Sequence, residues 1–230
     1  MSTVAFIPVR GGSKGIPKKN IKPIAGKPLL AWSIEQARSS ELVDRIIVST
    51  DDAEIAKCAI EYGAEVPFIR PADISGDSAS TESAMLHCCD WLVQQGAKFD
   101  NFLLIQATSP VRAAGRFDEA IRFFEAGSFD SLVAVTSSHR FFWNNIEDPA
   151  ASYDYMHRPR RQDLDQAQLQ YMETGSFYLT KMDKLMWSKS RLCGRVGLFI
   201  TPEEEAYEID SLVDFTVCES ILLNHEAFVK

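Results

Sequence analysis

The chain has 230 residues, 46% of them hydrophobic and 24% charged, with a formal charge of −8 and a pI near 5.1. That length and apolar content suit one full core with at most a small appended subdomain, and the acidic balance excludes a nucleic-acid binder with a uniformly basic surface. Five scattered cysteines without a C-x-x-C pair read as reduced thiols of a cytoplasmic protein, and no apolar run reaches membrane-spanning length.

Residues 4–9 are apolar nearly throughout, the pattern of a strand buried on both faces. Too few apolar residues precede Arg10 for a secretory signal. The strand runs into Arg10-Gly11-Gly12-Ser13-Lys14-Gly15-Ile16-Pro17-Lys18-Lys19-Asn20. Through Ile34 the positive side chains are Arg10, Lys14, Lys18, Lys19, Lys22 and Lys27, and no acid comes before Glu35. In an acidic protein, a glycine-rich basic loop behind a buried strand reads as an anion site, because glycine lets backbone N–H groups come close to the anion. A solvated basic loop is the alternative. The spacing matches neither G-x-G-x-x-G nor G-x-x-x-x-G-K-[ST], which argues against a dinucleotide oxidoreductase and against a P-loop.

Residues 28–38 have helical spacing, with Leu30, Ile34 and Ala37 on one face. A second strand is expected at 46–49. Asp51 and Asp52 can cap a helix at 53–62, and Gly63 suits its end. A short strand at 66–69, a polar loop at 70–81 and a helix at 81–95 follow. Residues 102–105 form another buried strand, then come the loop from Gln106 to Arg112, a helix at 117–126 and a strand at 132–135. Alternating strands and helices imply an α/β fold with a mostly parallel sheet and helices on both faces. Ligands bind such sheets beyond the carboxyl ends of the strands, so the loops after Val9, Ile69 and Ile105 are expected to share one rim. Residues 137–172 break the rhythm with aromatics and charges and read as an inserted arm within a single domain spanning 1–230. Strands at 175–180, 196–200 and 206–210 precede an amphipathic helix at 211–228. Ser211 and Asp214 have the spacing of a capping box.

Three constellations carry candidate chemistry. Glu208 and Asp210, two apart on an expected strand, would share one face. Two such oxygen ligands suit Mg²⁺, although spacing alone favours a solvated strand edge with Asp210 as a helix cap. His157, Arg158, Arg160 and Arg161 either hold an anion bidentately or form ion pairs with Asp163 and Asp165. Gln106, Thr108 and Ser109 either contact a base or sugar or are ordinary turn residues. His87, Cys88 and Cys89 read as helix filler. No spacing supports a hydrolase triad or a zinc site.

Taken in order, Ile7 to Asn20, Ile47-Val48-Ser49-Thr50-Asp51, Arg70-Pro71-Ala72-Asp73, Gln106-Ala107-Thr108-Ser109-Pro110-Val111-Arg112, Arg160-Arg161-Gln162-Asp163-Leu164, Gly175-Ser176-Phe177-Tyr178 and Glu208-Ile209-Asp210 resemble the CMP-N-acylneuraminate synthetases, or acylneuraminate cytidylyltransferases. The resemblance covers nearly the whole chain. It implies a Rossmann-like nucleotide-diphospho-sugar transferase fold whose inserted arm dimerises. It also implies attack by the anomeric hydroxyl of a nonulosonic acid, N-acetylneuraminic acid first, on the α-phosphate of CTP, with release of pyrophosphate. By resemblance, Arg10 and Lys19 contact the triphosphate with Gly11, Gly12 and Ser13. Asn20, Arg70, Ser80, Thr81 and Gln106 surround the nucleotide. Gln106, Tyr178 and Arg161, the last in trans from the second subunit of a homodimer, line the sugar site. Glu208 and Asp210 become ligands of Mg²⁺ (or Mn²⁺), and Asp210 also assists in deprotonating the hydroxyl. No nucleic-acid or membrane partner is implied.

The departures fall on the sugar side. Ser138-His139-Arg140-Phe141-Phe142-Trp143 stands where the family tends to carry a His-His-Pro type segment, and the stretch from Asp165 to Tyr171 aligns poorly. Ala107 replaces a frequent proline. Relatives acting on legionaminic or pseudaminic acid share the nucleotide-side motifs, and the eight-carbon acid KDO is a further alternative. A non-catalytic sugar-nucleotide sensor would be expected to lack the carboxylates or the basic loop, and both are present.

Overall fold

Continuous burial along the first strand sets the architecture. The computed structural model describes residues 1–12, 15–160 and 170–224. In it β1 (Thr3–Pro8) sends Ala5 and Ile7 into one apolar cluster and Val4 and Phe6 into another. Successive strand side chains point to opposite faces, so a strand apolar at every position needs cover on both. A two-residue antiparallel pair, β2 (Pro23–Ile24) and β3 (Lys27–Pro28), leads into α1 (Leu29–Arg38). β4 (Arg45–Ser49) and α2 (Ala53–Glu61) follow, and the Asp52 side chain accepts from the N–H groups of Glu54 and Ile55, as expected of a cap. Then come α3 (Thr81–Gln94), β5 (Asn101–Ile105), α4 (Arg116–Ala126) and β6 (Ser131–Ser138). The arm carries a small antiparallel pair, β7 (Trp143–Asn144) and β8 (Ala150–Ala151). β9 (Gln170–Lys181), α5 (Met182–Ser188), β10 (Val196–Ile200) and α6 (Leu212–Asn224) follow it.

The six-stranded sheet has the order β10-β6-β9-β5-β1-β4. The β1–β4, β1–β5 and β6–β10 ladders are parallel, and β9 is antiparallel to both of its neighbours. Its direction follows from its connection: β6 feeds the arm at Ser138, which pairs with Gln170, so the chain re-enters beside the place it left and must run back. Helices α1, α2 and α4 cover one face and α3 and α5 the other. A third apolar cluster joins α6 to Ile16, Ile24, Leu29, Trp32, Val111 and Ile209 at the rim of the sheet. Burial at about 1.5–3 kcal/mol per large aliphatic side chain makes that rim a packed element. No helix among the described residues is long and apolar enough to cross a membrane.

Several expectations are corrected. Residues 66–69 make no strand; the stretch contributes only an isolated bridge of Ile69 with Thr50, beside one of Glu65 with Ile47. Pro67 has no N–H to give to a ladder. Residues 206–210 make no strand either. The chain there leaves a 3-10 turn, Glu203–Ala206, whose buried Glu205 carboxylate is gripped by Arg116 and by the Ala113 N–H. Helix α5 lies in a stretch that periodicity left unassigned. The arm is more regular than its composition suggests, since β6 and β9 extend into it and pair with each other. The last part of the expected C-terminal helix, 225–228, lies outside the described residues.

Candidate active site

The loops after β1, Ile69 and β5 do meet on one rim. With residues 208–210 they enclose a cleft of about 500 Å³. Its lining includes Arg10, Gly12, Gly15, Lys19 and Asn20 from the glycine-rich loop, and Arg70, Asp77, Ser80 and Thr81 from the opposite wall. Gln106 and Thr108 come from the loop after β5, and Glu208 and Asp210 complete the wall. Ser80 caps α3 by accepting from the Ser83 N–H at 3.1 Å, so the positive end of that helix is at the cleft.

The glycine-rich loop is fixed from behind. Asn20 Nδ2 donates to the Arg10 carbonyl at 3.0 Å, and the Gly11 N–H donates to Asp51 Oδ1 at 2.9 Å. A Cβ at Gly11 would lie 2.8 Å from Asp52 Oδ2. The Gly11 amide is therefore committed to the floor of the loop, outside the cleft lining. At Gly15 a Cβ would lie 2.7 Å from the Asp210 carbonyl oxygen, so glycine allows the loop and the 208–210 segment to touch. Lys19, 13% exposed, bridges the same gap. Its Nζ donates to the Ile209 carbonyl at 2.7 Å and sits 3.6 Å from Asp210 Oδ1.

The carboxylate pair is set by Ile209 between them. The Ile209 N–H donates to the Thr108 carbonyl at 2.8 Å and its side chain is buried under α6. Glu208 and Asp210 thus reach one cleft although the expected strand is absent. Thr108 Oγ1 donates to Glu208 Oε1 at 2.9 Å. Burial pushes the Glu208 carboxyl above the usual range; the Thr108 hydrogen bond and Lys19 oppose this, and the Asp210 charge adds to it. A cation shared by the two carboxylates would relieve that penalty, and hard oxygen donors are what Mg²⁺ takes. Two carboxylates with one open side fit a metal completed by substrate and water; among the described residues no group of three or more His, Cys, Asp or Glu is placed to hold one.

Behind the cleft, Gly175 has φ 65° at the irregularity between β6 and β9. A Cβ there would lie 2.9 Å from Glu208 Oε2. Gln106 Nε2 donates to the Gly175 carbonyl. Arg112 holds this junction: Nε donates to Ser176 Oγ, Nη1 to Ser33 Oγ and Gln36 Oε1, and Nη2 to the carbonyls of Gln106 and Ser176. Every N–H of the guanidinium has an acceptor, and none of these is a carboxylate, so burial lowers its pKa to about 9. Arg70 ties the ends of β1 and β4 by donating Nη2 to the Val9 and Ser49 carbonyls at 2.8 and 2.6 Å. Burial lowers its pKa; Asp51 opposes this and Arg10 adds to it. Its Nε is buried with no hydrogen-bond partner.

Of the residues singled out from sequence, Arg10, Gly12, Lys19, Asn20, Arg70, Ser80, Thr81, Gln106, Glu208 and Asp210 line the cleft. Gly11 lies behind it. Tyr178 is buried in β9 outside the lining, its hydroxyl donating to Glu173 Oε2 at 3.0 Å. Ser13 and Arg161 lie outside the described residues. Sequence reading passed over Asp77, one acid in a polar loop with nothing to distinguish it. It also gave no separate role to Arg112, whose signal is a lone charge between Val111 and two alanines.

A basic glycine-rich loop facing a carboxylate pair, at the carboxyl ends of a mostly parallel sheet, defines a nucleotidyltransferase. A family model described as "Cytidylyltransferase" matches residues 4–114. The chain is 32% identical to a pseudaminic acid cytidylyltransferase of Campylobacter jejuni over 99% of both chains. It is 35% identical to N-acylneuraminate cytidylyltransferase A of Danio rerio, over 98% of this chain and 52% of that protein. Among solved structures it resembles a CMP:2-keto-3-deoxy-manno-octonic acid synthetase complexed with CTP, with a TM-score of 0.67 over 97% of this chain and 99% of that one; at 15% identity that likeness bears on the fold. The chain belongs to the cytidylyltransferase family.

Proposed function

We propose that this chain transfers CMP from CTP to the anomeric hydroxyl of a nonulosonic acid and releases pyrophosphate. The observation that carries the proposal is the meeting of Lys19 with residues 208–210 inside one cleft, which puts phosphate-binding charge beside a carboxylate pair. Arg10 and Lys19 hold the triphosphate, with Gly12 and Ser13 in the same loop and Gly11 and Asn20 fixing its shape. Arg70, Ser80, Thr81 and Gln106 surround the nucleoside, and the unpartnered Arg70 Nε is a donor that a ligand acceptor would satisfy. Glu208 and Asp210 hold Mg²⁺ or Mn²⁺. Once bound, the cation polarises the α-phosphate and offsets charge on the leaving group.

The acceptor proposed is N-acetylneuraminic acid. The pseudaminic alternative is favoured by a match over 99% of both chains. Gln106, Tyr178 and Arg161 are assigned to the sugar side. The arm leaves Phe142, Trp143, Ile146, Tyr155 and Met156 exposed, an apolar surface that supports a homodimer; the reading that Arg161 is contributed in trans rests on the family resemblance. Free cysteines at Cys58, Cys88, Cys89, Cys193 and Cys218 support a cytoplasmic location.

The test is pyrophosphate release from CTP with a panel of sialic, legionaminic and pseudaminic acids and KDO. Release with one of the nine-carbon acids is expected. Release with KDO alone, or with none of them, would reject the proposal.

A further inference from the structure

Among the described residues three carboxylates line the cleft, and the proposed chemistry uses two of them, Glu208 and Asp210. The third, Asp77, is unassigned. A carboxylate in a cleft built for a polyanion opposes binding by like-charge repulsion, so its position calls for a cause. It is not placed with the other two as a metal trio. Its Oδ1 accepts a 2.7 Å hydrogen bond from Arg10 Nη1, bridging from the segment between Ala72–Ile74 and α3 to the glycine-rich loop.

The Arg10 backbone is pinned by Asn20, so the guanidinium can change partner without movement of the loop. The two side chains are 37% and 57% exposed, which keeps the pair in a high dielectric and makes the exchange inexpensive. Lys18 pairs with Glu54 at 2.5 Å and the Gly11 N–H pairs with Asp51, but none of those four residues lines the cleft. Asp77 therefore occupies Arg10 on the ligand's own side.

We propose that Asp77 is an intramolecular stand-in for phosphate: it holds Arg10 when the cleft is empty, yields it to an incoming triphosphate or pyrophosphate, and recaptures it as pyrophosphate leaves. The proposal rests on the triphosphate reading above. Asp77 would then weaken anion binding and hasten product release.

The test is calorimetry on the full chain with inorganic pyrophosphate, CTP and cytidine as probes, in wild type, Asp77→Asn, Arg10→Ala and the double variant. Asp77→Asn is expected to bind pyrophosphate and CTP roughly two- to five-fold tighter, the range of an exposed ion pair, with cytidine unchanged. In the Arg10→Ala background the gain should shrink to the smaller part that comes from removing the Asp77 charge alone. Unchanged or weaker pyrophosphate binding by Asp77→Asn, or a gain as large without Arg10 as with it, overturns the proposal. A wild type that binds pyrophosphate but not CTP rejects the nucleotide reading, and the Asp77 comparison on pyrophosphate still decides the stand-in.

Discussion

At the scale of single residues, the charges of the cleft differ in how much of the fold depends on them, and Asp210 carries the least. The Asp210 side chain is 77% exposed and its ion pair is with Lys19. Asp210→Asn should therefore leave the melting temperature nearly unchanged while lowering turnover on the order of a hundredfold, the usual size of losing one preorganised electrostatic group. Turnover near normal at saturating Mg²⁺ would remove Asp210 from the metal site. Lys19→Ala should raise KM for CTP about tenfold or more, as expected for a charge-assisted hydrogen bond. Because Lys19 also bonds the Ile209 carbonyl, part of that loss belongs to positioning. Unchanged CTP kinetics would take Lys19 out of the phosphate site.

Whole elements deliver these side chains, and here sequence and structure part at instructive places. The strands at β1, β4 and β5 were legible because each has an unbroken apolar run at its centre, and the cap at Asp52 because its chemistry is local. The segment 206–210 was misread as a strand because its conformation is fixed by Glu205, whose partner Arg116 is remote in sequence. Periodicity carries no record of such a contact. The inference that Glu208 and Asp210 share a side nonetheless survived, since buried Ile209 separates them as an inward strand residue would. That the glycine-rich loop would line a cleft was legible from its charge and its place behind β1, but its partners Asp51 and Asp77 were not. Glu205→Gln would leave the mostly buried Arg116 with only the exposed Glu119 carboxylate as its ion-pair partner. It should cost about 2 kcal/mol in denaturant unfolding, less than a wholly unpaired buried charge, and lower activity through the displaced carboxylates. A cost under about 1 kcal/mol would mean that the pair does not fix this segment.

At the scale of the molecule, walls from four distant parts of the chain meet in one cleft, and the arm adds a fifth element whose apolar side chains face outward. If Arg161 acts in trans, mixing inactive Arg161→Ala and Asp210→Asn proteins should restore part of the activity through hybrid dimers carrying one intact site. No recovery despite demonstrated subunit exchange would place Arg161 elsewhere. The sheet order also has a consequence for biosynthesis. β9 is wedged between β5 and β6, yet it follows both in the chain. As the polypeptide leaves the ribosome, β4, β1 and β5 can assemble, but the outer edge of β5 stays unpaired until Gln170–Lys181 emerges. Such an edge invites pairing with other chains, and its closure waits on a long-range antiparallel contact, which is slow to form. The nascent protein is thus most exposed to aggregation while the arm is being synthesised, and chaperone demand should peak there.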